Sequence, residues 1–159
     1  MKLDVSNLRY LTQEHFRVLH AVEMGMRNHE IVPLELIESI ADLKRGGVNL
    51  IVKELLKYKL VTHDRKIYDG YRLSYPGYDY LALKALLRRG AVDAVGYRIG
   101  VGKESDIFLA RKGEDEQIVL KFQRLGRISF RNIKQVSFSI LHFECSTNNY
   151  SLSYVENAE

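Results

Sequence analysis

Cysteine occurs once in this chain, as Cys145, and proline twice. A single thiol excludes an internal disulfide and a cysteine metal cluster, and it fits a reducing cytosol or nucleus. No apolar run approaches the roughly 18 residues of a membrane helix. The opening Met1-Lys2-Leu3-Asp4-Val5-Ser6 carries no apolar signal core, so secretion is not expected. His15, His20, His29, His63 and His142 show no ligand spacing, so no metal site built from protein ligands is expected. There is no internal repeat. Neither sign of charge dominates: a net charge of +4 and a pI near 9.1 lean basic, which permits nucleic-acid contact without requiring it. The 159 residues, 46% hydrophobic and 28% charged, suit one ordinary soluble domain or two small ones.

What is present begins with helical spacing. Thr12 is placed to cap a helix, with Glu14 in its first turn. Phe16, Leu19, Val22, Glu23 and Met26 follow, mostly apolar, until Asn28-His29-Glu30 breaks the pattern. Pro33 opens a second helix at its first position, with Leu36, Ile37 and Ile40 as an apolar stripe. After Gly46-Gly47 a third helix is expected from about Val48 to Tyr58. Val48, Val52, Leu55 and Leu56 face inward there, and Lys53 and Lys57 face out. Leu60 to His63 reads as a strand, Asp64 to Gly70 as a polar tip, and Tyr71-Arg72-Leu73 as a returning strand. Ser74 and Pro76 start a fourth helix that ends at Gly90. Three helices, a hairpin and a helix are the order of a winged helix, with the third helix as recognition helix. Tyr68, Tyr71, Tyr75, Tyr78 and Tyr80 are read as packing residues rather than a stacking platform.

A second pattern begins near Ala91. Val95 to Ile99 reads as a strand, and the loop Gly100-Val101-Gly102-Lys103-Glu104-Ser105 follows. Ile107 to Ala110 is a second strand, Lys112 to Asp115 a turn, and Ile118 to Phe122 a third strand that carries Lys121. Flexible backbone followed by one fixed cation is the upper half of a kinase-type nucleotide site. The loop fits G-x-G-x-x-G in its first two glycines, with Ser105 in the place of the third, and it fails the P-loop pattern. By itself it is a hairpin turn more often than a phosphate clamp; the lysine downstream favours the clamp. Arg124 to Lys134 is basic with little periodicity, and no helix or strand is expected from Gln135 to Glu159.

Several stretches carry a family resemblance. They are Leu8-Arg9-Tyr10, Phe16-Arg17-Val18-Leu19, Ala21 to Met26, Asn28-His29-Glu30-Ile31-Val32-Pro33, Gly70-Tyr71-Arg72-Leu73, Gly77 to Lys84, Gly100 to Ile107, Leu125-Gly126-Arg127 and Ser129-Phe130-Arg131. In this order, over about residues 8 to 134, they resemble the RIO-type atypical serine/threonine protein kinases of the second subfamily, which place a winged helix before the kinase domain. The resemblance implies an α+β chain: a winged helix-turn-helix domain over 1–89, a partial kinase N-lobe of antiparallel strands over 90–134, and a divergent, irregular tail over 135–159. It implies ATP with Mg²⁺ as cofactors, the phosphates lying under Gly100, Val101, Gly102, Lys103, Glu104 and Ser105 with Lys121 on the α- and β-phosphates. It also implies a role in maturation of the small ribosomal subunit, with the pre-ribosomal small subunit and its rRNA as partners, in the cytoplasm and also the nucleus. Family members autophosphorylate in the region of Ser129, which makes Ser129 a candidate phosphosite.

The family's catalytic-loop aspartate and asparagine, metal-binding aspartate and helix glutamate have no counterpart in these 159 residues. A truncated form that binds ATP weakly and transfers no phosphoryl group is therefore expected. A non-catalytic winged-helix module that docks on RNA or a pre-ribosomal protein stays open beside it, and so does a DNA-binding regulator. Lys53, Lys57 and Lys59, with Arg65 and Lys66 on the wing, either meet nucleic-acid phosphates or form a solvated face. Arg124, Arg127, Arg131 and Lys134 either meet RNA or form a basic loop.

Overall fold

The computed structural model describes residues 3–43, 47–65, 68–102, 105–113, 116–123 and 142–145. They fall into two compact units, 1–85 and 86–159.

In the first unit a short 3-10 helix, Val5–Tyr10, leads into α1 (Gln13–Gly25), α2 (Leu34–Ala41) and α3 (Gly47–Lys57). Strands β1 (Val61–Asp64) and β2 (Gly70–Leu73) form the wing, and α4 (Tyr75–Arg88) follows. Thr12 caps α1 through a reciprocal box with His15. The Thr12 N–H donates to His15 Nδ1 at 3.2 Å, which leaves the Nε2–H to donate to Glu54 on α3 at 2.7 Å. The apolar faces then meet: Val18, Leu19 and Val22 of α1, Ile37 of α2, and Val48, Val52 and Leu55 of α3 are almost wholly buried. Each such side chain contributes about 1.5–3 kcal/mol on leaving water.

Val32 adds a third rung to the wing. Its N–H and C=O both bond Tyr71 at 2.8 Å, antiparallel to β2. The start of α4 is fixed on the residue before β1. The Ser74 N–H donates to Leu60 O at 3.0 Å, the Ser74 hydroxyl lies 2.9 Å from the same oxygen, and the Gly77 N–H donates to Ser74 Oγ at 3.2 Å. Ser74 is thus the cap that the sequence placed here.

Two expectations for this unit need correction. Pro33 caps α2 from just outside rather than opening it, and Ile40 is exposed. Ile37 and Ala41 set the inward face of this short helix, and Ile40 stands about 100° round from Ala41.

The second unit is a four-stranded antiparallel sheet in the order β3-β4-β5-β6, with β3 Ala94–Val101, β4 Ser105–Lys112, β5 Glu116–Gln123 and β6 His142–Cys145. Phe108, Ala110, Ile118, Leu120 and Phe122 alternate onto one buried face, where the rings of Phe108 and Phe122 meet edge-on at 5.4 Å. Strand β6 lies in the stretch where the sequence marks no element: Ile118↔Cys145 to Lys121↔His142 pair antiparallel and cover the edge of β5. Four residues carry too little alternation to announce a strand, and their partner is far away in the chain.

Candidate nucleotide site and recognition helix

Strands β3 and β4 are the limbs of the glycine loop. The register of β3 against β4 shifts twice, between Val95 and Arg98 and between Arg98 and Gly100. Such bulges sharpen local twist and re-aim the strand end. They bring Gly100 opposite Ile107, and Ile107 is opposite Lys121 on β5. One row across the sheet therefore holds the first glycine of the loop, an isoleucine and the lysine. Two strand spacings separate Gly100 from Lys121, about 10 Å.

A Cβ on Gly100 would sit 3.7 Å from Ile107 Cδ1, so position 100 faces the side on which Ile107 and Lys121 lie. That side is half covered at Ile107, Val119 and Lys121, all of intermediate exposure, and closed at Leu109 opposite Val119, while Leu120 and Phe122 anchor β5 on the other side. Sequence reasoning picked Lys121 and the glycines but passed over Ile107 and Val119, whose alternation with Lys121 along the strands was the available signal.

The loop closes tightly. The Gly102 N–H donates to Ser105 O at 2.7 Å. The Gly102 amide is thus taken up in the turn. Ser105 itself is half exposed and Asp106, next to it, is fully buried. Lys103 and Glu104 lie outside the described residues, as do Ser129 and the basic stretch at 124–134.

On the winged helix, Lys53 and Lys57 are exposed on the outward side of α3, and Lys59 follows at a positive φ of 58°. At the wing Arg65 is exposed and ion-paired. Its Nε donates to Asp69 Oδ1 at 3.0 Å, and His63 Nε2 lies 2.6 Å from the same oxygen, with the His63 ring stacked on Tyr71 at 4.8 Å. Arg65 is therefore already partnered by a carboxylate; Lys66 lies outside the described residues. Sequence reasoning missed Asp69 because the pairing depends on the wing tip folding back.

The bond from His63, aided by Arg65, holds the Asp69 carboxyl below its ordinary value. An NMR titration should find it below the usual aspartate value of about 3.9. A lowered folded value means that the wing-tip contribution is fully present above the unfolded carboxyl's pKa. It is lost as pH falls through Asp69's own lower one. A carboxyl that titrates at or above the ordinary value contradicts the pairing.

The described residues bring a glycine turn, an isoleucine and a lysine into one row. Ile107 and Val119 lie half exposed beside the lysine, and no three His, Cys, Asp or Glu side chains gather among the described residues. The chain thus sets a winged helix ahead of an antiparallel sheet that carries a glycine turn and a lysine.

The comparisons narrow the class. The Rio2 N-terminal family matches residues 8–89, and this chain belongs to the Rio2 family, whose full-length relatives are named serine/threonine-protein kinases. It is 55% identical over 134 residues to the serine/threonine-protein kinase rio2 of Dictyostelium discoideum, covering 84% of this chain and 26% of that protein. Over 135 residues it is 50% identical to the Schizosaccharomyces pombe kinase, covering 84% of this chain and 39% of that one. The Rio2 kinase–ADP/Mg²⁺–phosphoaspartate complex from Chaetomium thermophilum superposes with a TM-score of 0.74 at 53% identity, covering 84% of this chain and 40% of that one. This chain thus spans a quarter to two-fifths of the length of these relatives.

Proposed function

We propose that these residues form the winged helix and nucleotide-covering lobe of an ATP-dependent serine/threonine kinase or ATPase that acts in small ribosomal subunit maturation. The observation that carries the nucleotide reading is the row Gly100–Ile107–Lys121. The loop covers the phosphates, the Lys121 ammonium holds two of them, and Ile107 and Val119 take one face of the base. Phosphoryl transfer depends on positioning and charge neutralisation. Mg²⁺ would neutralise phosphate charge when bound, and the protein ligands for it are not among the described residues. On this reading the given residues are expected to bind ATP weakly, without phosphoryl transfer of their own. The cytoplasm is the expected compartment. The winged helix is the part that docks on a pre-ribosomal particle, which the exposed Lys53 and Lys57 support.

Hydrogen exchange of the chain with and without Mg·ATP tests the site. Protection should appear in β3, the glycine loop, β4 and β5 and leave α1 to α3 unchanged. Protection confined to the winged helix, or none at saturating nucleotide, would refute the assignment.

A further inference from the structure

The outward side of α3 carries Leu50, Lys53 and Lys57 at positions i, i+3 and i+7, which puts them on one side of the helix. Leu50 is 64% exposed beside the two exposed lysines. Val48, Ile51, Val52 and Leu55 already fill the core from the opposite side, so Leu50 is not a core position. Among the described residues two acidic groups lie nearby: Glu54 adjoins Lys53 in the helix and is held by His15, and Asp69 takes up Arg65 on the wing.

A face built for phosphates would be polar at its centre and continuous in positive charge. The deep, narrow major groove of an RNA duplex also admits no side chain such as Leu50. An apolar side chain flanked by cations complements instead an acidic segment that offers an apolar side chain of its own. We propose that this face of α3 docks an acidic, leucine-bearing helical segment of a protein partner. The inference deepens the docking role of the winged helix given above and is independent of nucleotide binding.

The probe is a fluorescein-labelled peptide of about 16 residues, glutamate-rich with leucines at helical spacing. It is titrated by anisotropy against the 159-residue chain. Control peptides carry Gln for every Glu or Ser for every Leu, and an RNA duplex of about 16 base pairs is a separate probe. The acidic leucine peptide should bind saturably. Affinity should fall about tenfold or more with Leu50→Ser, with Leu50→Lys, and with Lys53→Gln combined with Lys57→Gln. Both control peptides should bind correspondingly worse, melting temperatures should hold, and RNA affinity should not respond to Leu50→Ser. The proposal is overturned if the acidic peptide does not bind or if its binding ignores Leu50. A parallel loss of RNA affinity on Leu50→Ser also overturns it, because the face then belongs to nucleic acid. The titration contains no ATP, so its failure and a failure of the nucleotide site are read separately.

Discussion

Gly77→Ala should lower the melting temperature of the helical unit by about 10 °C or more, followed by helical circular dichroism. Gly77 lies in the first turn of α4, where a Cβ would run into the backbone oxygen of Leu60 and come within 3.0 Å of Leu73 Cδ2. The oxygen cannot yield cheaply, because it also accepts from the Ser74 N–H that fixes the start of the helix. Alanine favours a helix over glycine by about 1 kcal/mol. Displacing a packed backbone and its cap costs more, a net of about 2–3 kcal/mol. For a domain of this size that is roughly 10–20 °C. Gly47→Ala is the control, since a Cβ there meets nothing within 4 Å. Gly47→Ala should leave the melting temperature within about 2 °C. Equal melting of the Gly77→Ala protein and the unaltered chain would contradict the packing of α4 on Leu60.

The second large effect concerns Lys121. Lys121→Ala should weaken ATP binding about 10- to 100-fold, the range of one charge-assisted bond of about 1.5–3 kcal/mol to a phosphate. The fold should survive, because Leu120 and Phe122 hold β5 in the buried layer while Lys121 is half exposed on the other side. Lys121→Arg should restore only part of the affinity, since a planar fork does not take the place of a compact ammonium. Unchanged affinity in Lys121→Ala with an unchanged melting temperature would remove the lysine from the site.

Much of the winged helix was legible because its signals are local. Phe16, Leu19 and Val22 on α1 and Val48, Val52 and Leu55 on α3 recur at helical spacing and are buried, and Ser74 caps α4 as its position suggested. The exposure of Ile40 was not legible, because an eight-residue helix leaves its inward face to be chosen by its neighbours. In the second unit, alternation marked the three long strands but not β6, whose pairing with β5 depends on distant chain. Residue types marked the loop and Lys121. Hydrogen-bond allocation decided what composition cannot: the Gly102 amide closes the turn on Ser105, and Arg65 is bound by Asp69. The row that aligns Gly100 with Lys121 also depends on two register shifts in β3 that no sequence period announces.

The most direct test of the account is an equilibrium titration of the 159-residue chain with a fluorescent ATP analogue, with and without Mg²⁺, beside Lys121→Ala. Weak, saturable binding is predicted, and Lys121→Ala should weaken it about 10- to 100-fold. Absence of binding at millimolar nucleotide, or binding that Lys121→Ala leaves intact, would contradict it.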